Sequence, residues 1–285
     1  MASLMAILSA AAYGAADFLG GMAAKRATTL GSVIVTQAVG LVLLVFVLPV
    51  LPDAIVTAAD LAWGAAAGLA GGGGVALLYR ALAIGPMSVV APLTAVCAAA
   101  IPVAVGLALG DRLSVLTAAG IALAAVAIVL VGQERRAPDS VAMAQGIAAE
   151  GVRLAIAAGI AVGLFFVCLE RTGDTSGLWP LVPARIVSIA LFTAIALATS
   201  RPVLVPRAVM PIAIGGGALD MLANAFYLAA VQQGQLSVVA TLASLYPAST
   251  IVLARIILDE RWSRLQALGI VAAVAATMLI VSGTA

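Results

Sequence analysis

The sequence predicts an all-α integral membrane protein, with ten transmembrane helices arranged as two inverted five-helix repeats. Three observations lead there. Hydrophobic residues make up 64% of the chain and charged residues only 9%, whereas about a quarter of the residues in a soluble domain are charged. Glycine, proline and charged residues cut the sequence into ten apolar runs, each close to the ~20 residues that cross a bilayer. Finally, one stretch occurs twice. Tyr79-Arg80-Ala81-Leu82-Ala83-Ile84-Gly85 leads through Ser88-Val89-Val90-Ala91 to Asp111-Arg112-Leu113-Ser114. Tyr227-Leu228-Ala229-Ala230 leads through Gly234 and Ser237-Val238-Val239-Ala240 to Glu260-Arg261-Trp262-Ser263.

The runs are Ser3 to Ala24, Leu30 to Leu51, Leu61 to Ala83, Met87 to Gly110, Ser114 to Gly132, Ala148 to Glu170, Gly177 to Thr199, Arg207 to Val231, Leu236 to Leu258, and Ser263 to Gly283. The first is read as a membrane helix and not a cleaved leader. It has no basic start, contains Asp17 and continues into Lys25-Arg26. Short turn-like joints such as Leu51-Pro52-Asp53, Gly85-Pro86 and Arg201-Pro202 separate the runs, so sequential helices should be antiparallel. The one clearly hydrophilic stretch, Gln133 to Ser140, falls between the fifth and sixth runs.

From Gly85 and Gly234 onward the two copies stay in register, and Gly120 still matches Gly269. Tyr13-Gly14 precedes Val162-Gly163 by the same offset, which extends the repeat to the amino-terminal helices. The expected organisation is therefore a first repeat over 1–132, a linker over 133–147 and a second repeat over 148–285. Five is odd, so the second copy enters the membrane from the opposite side. Inverted repeats of this kind are characteristic of secondary transporters, whose site lies near the midplane between the repeats.

Composition also excludes several classes. A net charge of +2, with no basic run interleaved with aromatics, does not fit nucleic-acid binding. There is no histidine, and Cys97 and Cys168 each lie in an apolar run, so neither a disulfide framework nor a zinc site has its ligands. No cofactor is expected. The partners are the lipid bilayer and a small molecule, with monomer and homodimer equally open. A multi-pass location in a bacterial-type inner or plasma membrane is expected. Loop charges gather on one side (Lys25, Arg26, Arg135, Arg136, Arg153, Arg201, Arg207, Arg261 and Arg264) against Arg112 and Arg171 on the other. By the positive-inside rule both termini then face away from the cytoplasm.

With these spans and the doubled acidic-Arg-hydrophobe-Ser joints, the sequence resembles the EamA family of the drug/metabolite transporter superfamily over nearly its whole length. The resemblance implies a ten-helix carrier of small metabolites, often an exporter of amino acids or related compounds, with a central cavity between two five-helix bundles. It also implies cytoplasmic termini, against the loop charges, so orientation stays open. An integral-membrane enzyme or a channel for a small polar solute is the alternative. The enzyme would need a nucleophile, metal ligands or an acid/base pair, and the channel a ring of charge or a filter.

Candidate site residues follow from the cost of ionisable groups in a membrane, at least ~2.5 kcal/mol each on insertion scales. Asp220 lies near the centre of the eighth run and shares a helical face with Gly216, Gly217, Asn224 and Tyr227. That stripe is either a cavity wall that binds substrate or a proton, or an interhelical hydrogen-bond network. Asp17 shares a face with Tyr13, Gly14, Gly20 and Gly21, room for a ligand or for a close helix. Arg185 keeps its proton, so it pairs with a carboxylate or grips an anionic group. If one Asp pairs with it, the other lies in low dielectric without a counter-ion, where the neutral acid is favoured. That residue, Asp17 or Asp220, would then exchange a proton in each cycle of a proton antiport.

Gln37 is mid-span and either lines the cavity or bonds a neighbouring helix. Arg80 and Arg255 lie near run ends and are expected to snorkel, and Glu170 and Arg171 read as helix-end residues. Gly71 to Gly74 is no phosphate loop, since no Lys-Ser/Thr follows, and close packing is favoured over a helix break. Pro92, Pro102 and Pro247 should kink the fourth and ninth helices. Ser237, Thr241 and Ser244 share a face of the ninth helix and either meet substrate or bond back to the helix. The copies differ where the charges sit: Gly72 aligns with Asp220 and Phe166 with Asp17.

Overall fold

A computed structural model describes residues 1–84, 87–131, 143–200, 202–258 and 263–283. The expected turn at Gly85, most of the linker, Arg201, the Glu260 to Trp262 joint and the Arg255 side chain lie outside the described residues. Among the described residues the chain is helical with no strand. The helices are α1 (Ala2–Ala24), α2 (Thr29–Val47), α3 (Ala58–Ile84), α4 (Met87–Leu109), α5 (Val115–Val131), α6 (Met143–Glu170), α7 (Leu181–Thr199), α8 (Met210–Val231), α9 (Leu236–Ala243), α10 (Tyr246–Leu258) and α11 (Arg264–Gly283). Eight of them (α1 to α4, α6 to α8 and α11) are long and apolar enough to cross a membrane, and two shorter apolar stretches cover Val115–Leu130 and Leu236–Thr250.

Local chemistry sets the ends. Thr57 and Asp60 cap α3 reciprocally: the Asp60 amide donates to Thr57 Oγ1 at 3.2 Å and the Thr57 amide to Asp60 Oδ2 at 2.7 Å. The serines of the doubled motif are caps too. Ser114 Oγ accepts from the Thr117 amide at 3.1 Å at the start of α5, and Ser263 Oγ from the Gln266 amide at 3.1 Å at the start of α11. Pro180 and Pro211 sit at helix starts, where a missing N–H costs nothing.

α6 is helical from Met143, so its first turns fall inside the stretch expected as linker, and its apolar span begins at Glu150. Two expectations need correction. The ninth run is not one kinked helix. It breaks at Ser244-Leu245 into α9 and α10, because Pro247 can supply no amide to the Ala243 carbonyl. The fourth helix by contrast continues through Pro92 and Pro102. The seventh begins at Leu181 and not Gly177, since Ser176 to Pro180 forms tight turns.

The two halves of the chain are interleaved; they do not form separate five-helix bundles. The most extensive packing joins α1 to α8, α3 to α6 and α5 to α11, each pair taking one helix from each half. Further cross-half pairs are α4 with α6, α3 with α7, α2 with α8, and α1 with α10. Small residues let these backbones meet. A Cβ on Gly68 would lie 2.3 Å from the Ala184 carbonyl oxygen, and one on Gly14 2.4 Å from that of Tyr246. The Gly71 to Gly74 stretch lies inside unbroken α3, with Gly74 against Val162 of α6. Hydroxyls bond across the same seams: Ser9 to the Ala223 carbonyl at 2.8 Å, Ser188 to that of Gly68 at 2.6 Å, and Thr250 to that of Gly14 at 3.0 Å.

One end of the bundle is bound by polar ties between halves. Asp60 Oδ1 accepts from the Gly173 amide at 2.6 Å, and Asp111 Oδ2 from the Ser237 amide at 3.0 Å and the Ser237 hydroxyl at 2.5 Å. Asp111 thereby caps α9. Ser237 is held by this tie and Thr241 bonds back to the Ser237 carbonyl at 2.7 Å, while Ser244 Oγ is buried without a partner. Arg80 lies outside the core in an exposed pair with Glu150 at 3.3 Å, and Glu170 pairs with Arg171 at the end of α6.

Candidate functional site

The centre of the bundle holds a cavity whose empty space, counted together with the solvent open to it, is about 670 Å³. Its wall is mostly small and apolar, from Ala67, Gly68, Gly71, Gly72, Val75 and Leu78 of α3, Val162, Phe165 and Phe166 of α6, and Leu181 and Ala184 of α7. Six of the residues singled out by sequence line it: Tyr13, Asp17, Gln37, Arg185, Asp220 and Asn224, from α1, α2, α7 and α8.

Five of the six form one chain of contacts. Arg185 Nη2 lies 2.7 Å from Asp220 Oδ2 with both side chains largely buried. Its Nη1 donates to Gln37 Oε1, and Nη2 lies 3.8 Å from the Met221 sulfur. The guanidinium fits because α2 carries Gly40 there, where a Cβ would lie 3.0 Å from Arg185 Nε. Asn224 Nδ2 donates to Asp220 Oδ2 at 3.2 Å and to its own helix at the Asp220 carbonyl at 2.6 Å. Tyr13 closes the chain by donating to Asn224 Oδ1 at 2.9 Å. The i, i+4 spacing of Asp220 and Asn224 makes that local bond possible. The rest needs helices brought together from both halves.

Asp17 stands apart. It lines the cavity one helical turn from Tyr13, and among the described residues it has no hydrogen bond or ion pair. Its helix approaches α3 at Gly20, where a Cβ would meet the Tyr79 hydroxyl at 2.0 Å.

Of the Asp220 stripe, Tyr227 bonds a neighbouring helix. It is fully buried, stacks on Phe166 with ring centroids 4.3 Å apart, and donates to the Phe166 carbonyl at 3.3 Å. It therefore props a wall residue and does not line the cavity. Gly216 and Gly217 likewise leave the cavity face: Gly216 packs on α1, and Gly217 on α2 at Thr36. Pro92, Pro102 and Pro247 are not among the lining residues. Tyr246, beside the helix break, is.

Sequence reasoning passed over Phe165, Ser188 and Tyr246 as lining residues, and noted Phe166 only as the counterpart of Asp17. A signal existed for the pair at 165–166. Adjacent phenylalanines in the middle of a run of small residues are unusual in a chain with 5% aromatics. Ser188 carried none, since its role depends on α3 offering the Gly68 carbonyl. Among the described residues no group of three or more His, Cys, Asp or Glu is placed to hold a metal ion.

Comparison with known proteins adds to this geometry. A solved crystal structure superposes with a TM-score of 0.68 over 99% of this chain and 96% of that chain, at 17% identity, a likeness of fold alone. No curated protein matches significantly. The profile of the EamA-like transporter family matches residues 149–282, which contain Arg185, Asp220, Asn224 and both phenylalanines of the wall. By that match residues 149–282, the second half of the chain, are similar to the EamA-like transporter family, a family of the drug/metabolite transporter superfamily.

Proposed function

We propose that the protein is a secondary active transporter of a small amine-bearing metabolite, an amino acid or related compound. It carries the metabolite out across a cell membrane in exchange for protons. The single observation that carries this reading is the division of charge in the cavity. Arg185 is neutralised by Asp220, and Asp17 faces the same space without a partner. A carboxyl held in low dielectric without a counter-ion is the group suited to load and release a proton.

An arrangement of ten crossings as two inverted repeats belongs to the same proposal. In it the short apolar helices Val115–Leu130 and Leu236–Thr250 serve as the ninth and tenth crossings beside the eight long candidate spans. Exchanging each helix of the first half for its counterpart in the second maps the α1–α8 contact onto α6–α3, and the α4–α6 contact onto that of the broken ninth helix with α1. The aligned pairs Tyr13 and Val162, Asp17 and Phe166, and Gly72 and Asp220 all line one cavity, as a two-fold axis through it requires. Substrate then sits at that axis, open alternately to one side of the membrane and the other.

The test is flux in proteoliposomes of the full chain under an imposed pH gradient, with candidate amines and amino acids. Wild type is expected to show gradient-driven, saturable flux that Asp17→Asn abolishes. Flux that stays gradient-dependent in both Asp17→Asn and Asp220→Asn overturns proton antiport through this cavity.

A further inference from the structure

The cavity's only cation among the described residues is already committed. Arg185 spends Nη2 on Asp220 and Nη1 on Gln37, with Met221 against the guanidinium. Asn224 is spent on Asp220, and the Tyr13 hydroxyl on Asn224. A ligand carboxylate entering this cavity finds no uncommitted cation, only the neutral donors Gln37 Nε2 and the Tyr246 hydroxyl, unless it takes Arg185 from Asp220, which would leave a second bare carboxylate beside Asp17. Arg185 and Asp220 cancel, so the one formal charge left to complement is that of Asp17. Around it stand aromatic and small walls: Tyr13, Phe165, Phe166 and Tyr246, with room at Gly71 and Gly72. Aromatic faces also attract cations.

We propose that the cavity binds small amphipathic monocations. These are primary or secondary amines with an aromatic or branched aliphatic body and no carboxylate, with the ammonium on Asp17. The proposal rests on the transporter reading above and narrows its substrate class. Proton and ammonium then compete for one carboxyl, so binding weakens as pH falls. The titratable groups facing Asp17 are Asp220 from α8, Tyr79 from α3, Tyr246 from α10 and Tyr13 from its own helix. Neither α2 nor α9 contains a titratable residue. The tyrosines carry no charge near neutral pH, and Asp220 is held by Arg185. Competition between proton and amine is therefore centred on Asp17.

The experiment is calorimetric titration of the purified full chain in detergent with four probes of matched body: phenethylamine, phenylalanine, 3-phenylpropionate and 2-phenylethanol. At pH 8 phenethylamine is expected to bind at least about tenfold tighter than the other three, a difference of ~1.4 kcal/mol. Its affinity should fall on going to pH 5. Asp17→Asn should bring it down to the level of 2-phenylethanol, while Asp17→Glu stays within a few-fold of wild type. Tighter binding of phenylalanine or 3-phenylpropionate, or unchanged phenethylamine affinity in a monodisperse Asp17→Asn protein, overturns the proposal. Should that variant not fold, the wild-type titration decides, since amine affinity that does not weaken between pH 8 and pH 5 overturns it equally. Failure of the transport reading looks different: phenethylamine would bind through Asp17 without proton counterflux in proteoliposomes. Gradient-driven phenylalanine flux that phenethylamine does not inhibit would refute the amine class and leave the transporter standing.

Discussion

Breaking the Arg185–Asp220 pair one side at a time should have unequal costs, and the inequality follows from what each partner keeps. Removing one member of a buried ion pair costs ~3–5 kcal/mol, because the other is left buried and unpaired. In Arg185→Met the stranded Asp220 retains the Asn224 amide at 3.2 Å and can take up a proton. The cost should therefore lie near the lower end, about 3 kcal/mol or roughly 150-fold in the folding equilibrium. In Asp220→Asn the stranded guanidinium cannot shed its charge. It keeps only the Gln37 oxygen and the Met221 sulfur, so about 4–5 kcal/mol is expected. The double variant strands no charge and should cost less than the sum of the singles by about 2–3 kcal/mol. Reversible unfolding of the four proteins in mixed micelles, read by far-UV dichroism, measures the cycle. Additive singles, or an Arg185→Met more damaging than Asp220→Asn, would refute the view that this pair is buried and mutually compensating.

Other expectations can be checked on the same preparations. Gly68→Ala should lose ~1–3 kcal/mol from overpacking, because its Cβ would meet the Ala184 backbone at 2.3 Å. Gly73→Ala has nothing within 4 Å and should be neutral or stabilising by up to ~1 kcal/mol; equal effects in melts would contradict the α3–α7 packing. Asp111→Ala removes both bonds to Ser237 and should cost ~1 kcal/mol as a lost cap, whereas Asp111→Asn should recover part of that loss in the same melts. Tyr227→Phe forfeits one hydrogen bond to the Phe166 carbonyl, worth ~0.5–1.5 kcal/mol, and should leave substrate affinity within a few-fold. A large affinity loss in binding titrations would return Tyr227 to the cavity. Single cysteines labelled with an impermeant reagent should place positions 26 and 204 on one side of the membrane and positions 53, 111 and 174 on the other. Any mixed pattern breaks the ten-crossing arrangement.

How far the sequence could be read depended on whether a feature is local. The repeats, the apolar runs and the caps are local or periodic. The doubled acidic-Arg-hydrophobe-Ser joint can be recognised in sequence, and its serines prove to start α5 and α11. The Thr57-x-x-Asp60 spacing at α3 carries the same capping information. Charges in the middle of apolar runs nominated Asp17, Arg185 and Asp220, and these three reach one cavity because uncompensated charge has few other stable places in a membrane. What stayed hidden is long-range. Nothing near Gly40 says that it makes room for a guanidinium, and nothing near Asp60 or Asp111 says that each holds a backbone amide in the other half. For Tyr227 the sequence leaves cavity wall and interhelical bond both open for a related reason. A helical face fixes direction, but the neighbour it meets, here Phe166, decides whether it bounds a space or fills one.

Interleaving constrains how such a molecule can change state. Were the halves separate bundles, one could rock as a body against the other with little repacking. Here the most extensive seams, α1 with α8, α3 with α6 and α5 with α11, each join opposite halves and are closed by glycine contacts, with a buried hydroxyl bond from Ser9 across the first. These seams are costly to part, so the moving units are better sought as cross-half pairs than as repeats. The helix break at Ser244-Leu245 supplies a joint beside Tyr246 at the cavity wall, and its counterpart α4 carries Pro92 and Pro102. At one end α9 is held to α4 through Asp111 and Ser237. Opening there requires those bonds to part while the central seams stay shut. The duplicated stretch thus holds both proline-bearing helices and, in its first acidic joint, one of the polar ties between halves.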